Sequence, residues 1–362
     1  MIVPQTYLTA LVVTILSMIC WGSWANTQKL AGKWRFELYY FDYAFGVLLA
    51  ATIAAFTVGS ASFIGIYNFT GFEFVDDLLK TGKRQIFFGI AGGLVFNLAN
   101  MLLVAAISVA GLAVAFPVGI GIALVVGVVL NYIGNPQGNP GLLFTGTALL
   151  VAAIVVDALA YKALANAKAD KEPLPPSGPG NKGGTAHQYA AKRFWKGLIL
   201  SIVSGFLMGL FYPLVEMGKA GDLGLGPYSI GFVFATAVFF STFLYSIYFM
   251  NLPVEGPPVS PADYFKGTRK QHLLGVLGGI IWCIGTLANF AAASAPERVQ
   301  VGPAISYALG QGATMISALW GLLVWKEFAG GGPKVNALVV TMLCLFAAGL
   351  GLVSIAPLYV AH

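Results

Sequence analysis

Residues 77–117, DLLKTGKRQIFFGIAGGLVFNLANMLLVAAISVAGLAVAFP, align without a gap with residues 263–303, DYFKGTRKQHLLGVLGGIIWCIGTLANFAAASAPERVQVGP, at an offset of 186. Ten of the 41 pairs are identical. They include Asp77/Asp263, Lys80/Lys266, Gln85/Gln271, Gly89/Gly275, Gly92/Gly278, Gly93/Gly279 and Pro117/Pro303. Gly and Ala matches arise readily in an apolar chain, whereas matched Asp, Lys, Gln and Pro do not. The stretch sits among about ten long apolar segments, five in each half. An odd number of crossings per half turns the second half upside down in a bilayer. The expected fold is an all-α polytopic membrane protein with ten transmembrane helices as two inverted five-helix repeats, the layout of secondary transporters.

Composition supports the membrane reading. Charged residues make up 9% of the 362 positions, against about 25% in soluble proteins. Mean hydropathy is +0.81, and the apolar runs are of membrane-spanning length. The net charge of +6 lies in loops and is no nucleic-acid footprint. Cys20, Cys283 and Cys344 show no metal-ligand spacing, and disulfides are not expected. No histidine is placed for a proton relay across the bilayer. The N-terminus reads as a first span, not a cleaved signal.

The spans are predicted at 6–28, 39–60, 86–108, 111–132, 142–162, 196–218, 228–250, 272–294, 301–325 and 335–357. Residues 1–162 form the first five-helix repeat, 163–195 a flexible cytoplasmic linker rich in Pro and Gly, and 196–362 the second repeat. A short interfacial helix is expected within 61–84. Fifteen of the 20 Lys and Arg residues fall on the side away from the termini. The positive-inside bias then puts the linker in the cytoplasm and both termini outside a cell inner (plasma) membrane.

Polar groups at membrane depth are costly unless paired or hydrated, so they carry the information about function. Trp24 and Asn26 lie late in the first span, followed by Lys29. Asn97 and Asn100 share a face of the third span. Trp282 and Asn289 occupy the matching region of the eighth. Tyr212 precedes Pro213, which should kink the sixth, and Glu216 follows within a turn. Tyr307 and Gln311 lie on the ninth. Amides, hydroxyls and indoles suit a neutral solute. Interhelical hydrogen bonding explains any one of these residues equally well. The substrate-binding candidates are Trp24, Asn26, Asn97, Asn100, Tyr212, Trp282, Asn289, Tyr307 and Gln311. Trp24, Asn100, Tyr212, Trp282 and Gln311 should meet in one cavity. The coupling candidates are Glu216, Lys29 and Asp157. Each has a rival reading: Glu216 and Lys29 snorkel to the interface, Glu216 toward Lys219, and Asp157 sits beside the linker. Asp42 reads as an interface or capping residue. No catalytic constellation, metal site or cofactor is expected.

Gly22-Ser23-Trp24, Asp42-Tyr43, Ala91-Gly92-Gly93 through Asn100, Leu130-Asn131-Tyr132, Tyr212-Pro213 and Trp320 to Phe328 are familiar together. On these the chain resembles the drug/metabolite transporter superfamily, and within it the ureide permeases and the related glucose/ribose and rhamnose porters. The resemblance covers nearly everything except the linker. It implies a solute transporter, not an enzyme. Residues Leu214 to Gly218 depart from the ureide-permease pattern, so the reading puts proton-coupled sugar uptake by alternating access first. A ureide (allantoin-like) or other heterocycle permease is the alternative. A passive solute channel or membrane solute sensor is the reading from another class.

Overall fold

A computed structural model describes residues 1–60, 73–110, 112–169, 183–253, 257–296, 299 and 301–359. Every regular element among them is helical. The first span is α1 (Tyr7–Ser23) and α2 (Ala25–Leu30), interrupted at Trp24. Next come α3 (Phe36–Phe56), the short α4 (Glu73–Lys80), α5 (Lys83–Ala110), α6 (Leu112–Gly134) and α7 (Pro140–Ala169). The second half holds α8 (Gly183–Lys219), α9 (Pro227–Asn251), a 3-10 turn over Pro261–Lys266 and α10 (Arg269–Ala293). The ninth span is broken into α11 (Pro303–Gly310), α12 (Ala313–Leu319) and a π turn over Trp320–Val324. The last span is α13 (Gly332–Ile355).

Ten of these segments are long and apolar enough to cross a membrane. In hydrocarbon each backbone group must be paired within its own segment, which is why these runs are helices. The chain is a multi-pass membrane protein. The spans match those read from sequence to within a few residues. The stretch 163–195 is helical over 163–169 and 183–195, where α7 and α8 continue past the apolar windows. Residues 170–182 lie outside the described residues, as do the turn at Gly111 and Glu297–Arg298 of the loop before α11. Residues 61–72 of the expected interfacial stretch lie outside too. Its remainder is α4, whose buried Phe74 packs edge-on against Phe56 and Phe232.

Helix starts follow local chemistry. Thr268 Oγ1 accepts from Gln271 N–H at 3.3 Å, while Gln271 Oε1 accepts from Thr268 N–H at 2.8 Å. This reciprocal cap satisfies two donors at the start of α10. Ser260 and Asp263 make the same box ahead of it. Hydrogen bonds from Lys266 and the Ser260 backbone hold Asp263 below the usual carboxylate range. Pro227 and Pro303 sit at the first helical position, where a missing N–H costs little. Pro117 differs from Pro303: α6 begins five residues earlier, so Pro117 lies inside it.

Packing follows the repeat. α5 and α6 pack on α8; α10 and α12 pack on α1. α9 packs on α5 and on α3, and α3 on α10. α7 packs on α13 and on α6, and α11 on α6 and on α13. Exchanging the first five spans for the second five sends each of these contacts onto itself or onto another member of the set. The glycines explain the closeness. A methyl on Gly93 would overlap the Phe234 carbonyl of α9, and one on Gly279 the Tyr43 carbonyl of α3. Without a hydrophobic drive between helices in lipid, such close approach supplies the contact energy.

Candidate functional site

The two interrupted spans meet the two glycine-rich helices at mid-depth. There Trp21, Trp24, Phe96, Asn100, Phe211, Trp282 and Gln311 line a cavity of about 160 Å³, with Phe116, aliphatic side chains and the hydroxyls of Thr314 and Ser317 filling the rest of its wall. Among the described residues no charged side chain lines it. Phe96 and Trp282 stack with centroids 4.4 Å apart and planes at 27°. Trp21 lies nearly parallel to Trp282 at 6.4 Å and donates Nε1–H to Thr286 Oγ1 at 3.0 Å. Trp24 tilts onto Tyr43 at 4.9 Å. Asn100 Nδ2 donates to Tyr40 Oη at 3.0 Å. Among the described residues, Trp24 Nε1, Trp282 Nε1, Asn100 Oδ1 and the Gln311 amide make no hydrogen bond. The cavity therefore offers ring faces together with donors and acceptors that the protein does not use. Its volume is close to the roughly 150 Å³ that holds a benzene ring in an engineered core.

Four of the nine candidate binding residues, Trp24, Asn100, Trp282 and Gln311, thus share one cavity. Tyr212 does not join them. Its hydroxyl donates to Asn289 Oδ1 at 2.6 Å, beneath the cavity floor. Asn289 is spent on structure: its Nδ2 donates to Ser17 Oγ at 3.2 Å and the Ser306 carbonyl at 3.0 Å, and its Oδ1 also accepts from Ser306 Oγ at 2.9 Å. Tyr307 Oη reaches the carbonyls of Ala123 and Met208, both at 3.2 Å. All five side chains of this layer are fully buried. Asn97 also lies elsewhere, its Nδ2 held by Ser241, Thr242 and the Val238 carbonyl of α9. The 60° between positions i and i+3 of a helix is enough to part Asn97 from Asn100. Asn26 Oδ1 accepts from Trp325 Nε1 at 2.6 Å, closer to the linker side.

Below the buried layer a second, larger cavity of about 880 Å³ opens toward the side of the termini. Pro213, Glu216, Lys219, Asn131, Asp77 and Pro303 line this vestibule. Glu216 pairs with Lys219 at 2.8 Å, as the snorkelling alternative anticipates. Lys29 and Asp157 lie at the other end. Lys29 pairs with Glu327 and stands 4.3 Å from the centre of the Trp325 ring. Tyr161 Oη donates to Glu327 Oε2 at 2.8 Å. Asp157, one helical turn before Tyr161, is buried, and its Oδ1 has no partner among the described residues. Asp42 is more than a cap. It accepts from Tyr264 Oη at 2.6 Å and faces His272 Nδ1 at 2.7 Å, tying α3 to α10 and the 3-10 turn.

Phe96, Trp21 and Glu327 are not among the site residues expected from sequence, although Trp21 lies beside Trp24 and Glu327 falls in the Trp320–Phe328 motif. Phe96 had a usable signal: it is the repeat partner of Trp282. Glu327 had none at membrane depth, because it lies in the turn after the ninth span. Among the described residues no group of three or more His, Cys, Asp or Glu side chains is arranged to hold a metal.

Comparison with known proteins agrees with this layout. Residues 39–194 match the family model described as ureide permease. The curated ureide permease 4 of Arabidopsis thaliana is 25% identical, with 93% of this chain and 94% of the relative covered. Ureide permease 1 of the same plant is 27% identical at the same coverage. Probable ureide permease A3 of Vigna unguiculata is 22% identical, over 88% of this chain and 95% of the relative. A crystal structure described only as that of a protein has a TM-score of 0.59 at 16% identity, covering 96% of both chains, which shows the fold. These relatives are named as permeases, which are not enzymes. The chain is similar in sequence to the ureide permeases over nearly its whole length and matches their family model over residues 39–194.

Proposed function

We propose that the chain is a secondary transporter for a small neutral solute with a ureido or amide group, moved by alternating access between two inverted halves. The observation that carries this reading is the cavity without charged lining among the described residues, with indole and phenyl faces beside Asn100 Oδ1 and the Gln311 side-chain amide, which have no intramolecular partner there. A planar ring stacks on such faces while its N–H and C=O edge finds the amides. The names of the relatives favour a ureide over the sugar read from sequence. The contact pattern, which survives exchange of the halves, supports rocking of one half against the other. The linker lies in the cytoplasm and the termini outside the plasma membrane, on the charge bias of the loops. Protons couple to the cycle at Asp157, whose unpaired oxygen lies near the Lys29–Glu327 pair. Glu216 already has Lys219.

Liposomes holding the purified protein should accumulate labelled allantoin under an inward proton gradient. Asn100→Ala and Trp282→Ala should each weaken uptake by about tenfold to a hundredfold, the equivalent of roughly 1–3 kcal/mol. Asp157→Asn should abolish accumulation while leaving exchange. Glucose uptake without allantoin uptake would transfer the cargo to the sugar reading. Flux of either solute that ignores every gradient would make the protein a channel. Reporter fusions at Gly180 and His362 should report cytoplasm and exterior respectively.

A further inference from the structure

Four helices each run from the central cavity, through the buried layer, to the vestibule. On α8 the order is Phe211, Tyr212, then Pro213 and Glu216; on α10 it is Trp282, Asn289, Ala293. The ninth span runs Gln311, Tyr307, Pro303, and α6 runs Ile120, Ala123, Asn131. The vestibule is thus collinear with the cavity and parted from it by one layer of side chains.

Its wall carries unspent hydrogen-bonding capacity. Asn131 is 3% exposed; its Nδ2 donates to the Gly127 carbonyl at 2.7 Å, and its Oδ1 has no partner among the described residues. Orphaned buried amide oxygens are uncommon and call for a partner. Glu216 uses Oε1 on Lys219 and leaves Oε2 open. Asp77 uses Oδ2 on the Gly226 N–H at 2.9 Å and leaves Oδ1 open. Among the described residues the lining is rich in acceptors, and its two carboxylates outnumber its one ammonium. That balance suits a neutral solute with several N–H donors and disfavours an anion.

We propose that this vestibule is a second binding station for the same class of solute, with Asn131, Glu216 and Asp77 accepting its N–H groups before or after passage through the central cavity. The proposal rests on the reading of the cargo as a ureide.

Equilibrium binding of labelled allantoin to the purified full chain tests it, with gel filtration and melting temperature as folding controls. The wild-type chain should saturate at two equivalents. Asn131→Leu should leave one, and Glu216→Gln, which keeps the side-chain shape, should weaken one of the two by about tenfold. Asn100→Ala should remove the other equivalent. Allantoate, the anionic relative, should compete at the central cavity better than at the vestibule. Saturation at one equivalent, lost in Asn100→Ala and untouched in Asn131→Leu and Glu216→Gln, overturns the second station and leaves the cargo reading standing. One equivalent lost in Asn131→Leu and indifferent to Asn100→Ala keeps the vestibule as a site, overturns the central cavity as the first station, and with it the idea of two stations. No binding at all overturns both.

Discussion

α5 and α10 share the sequence match at an offset of 186, and they differ in what they do. Both carry Gly-x-x-x-Gly, and in both the second glycine lies against a backbone carbonyl of a partner helix from the other half. Phe96 and Trp282 are repeat partners and stack on each other across the middle of the molecule. The unshared positions then diverge. Asn100 faces the cavity where α10 has Thr286, which serves as acceptor for Trp21. Asn289 organises the buried layer where α5 has Leu103. Small residues common to both halves set how closely helices pack. Polar residues present in one half only give the proposed site unlike walls, as a solute with distinct edges would require.

The largest expected effect breaks the shared part. Gly279→Leu or Gly93→Leu forces a side chain into a neighbouring carbonyl and should cost about 3 kcal/mol or more, enough to abolish folded protein on gel filtration. Gly351→Ala, which meets nothing within 4 Å, should melt within about 0.5 kcal/mol of the parent. Recovery of well-folded Gly279→Leu protein would remove close helix approach as the basis of the repeat.

The next effect makes the halves alike in the layer. Asn289→Leu gives α10 the residue type of Leu103 and strips partners from Tyr212, Ser306 and Ser17. A loss of about 2–3 kcal/mol is expected for the groups left unpaired. Thiol labelling of Cys283, located by mass spectrometry, should become faster as the layer loosens. Unchanged stability and labelling would show that the layer is not held by this amide.

Trp282→Phe makes the stacked pair symmetric at smaller cost. The ring face survives while Nε1–H is lost, so allantoin binding should weaken by about 1 kcal/mol at unchanged melting temperature. Loss of all binding would mean that the indole bulk, not its N–H, matters. The smallest effect belongs to Lys29→Ala. Its pair with Glu327 is 43% and 30% exposed, and such pairs contribute under about 1 kcal/mol to stability. A larger destabilisation would show that this end of the first span is a structural latch.

Much of the fold was legible from residue types. Apolar runs between charged loops located ten spans, because lipid permits only internally paired backbone. Within the candidate site, Trp24, Asn100, Trp282 and Gln311 were found because polar and indole groups stand out at membrane depth. Tyr212, Asn289 and Tyr307 stood out for the same reason yet bond to the protein itself. Residue type reports that a polar group must be satisfied, and not whether a neighbouring helix or a solute does it.

By itself, the sequence determined the apolar segments, the repeat at an offset of 186 and the glycines at which helices draw close. These are one-dimensional properties: length, spacing and side-chain size. Only the tertiary structure decided which way each polar group turns. A rotation of 60° about one helix axis gave Asn97 to α9 and Asn100 to the cavity. Contacts between residues distant in the chain consumed the hydrogen bonds of Asn289 and Tyr307 and, among the described residues, left the Gln311 side-chain amide and Asn131 Oδ1 open. Hydrogen bonds are short and directional, so their partners are set by the packing of helices that the chain order does not reveal.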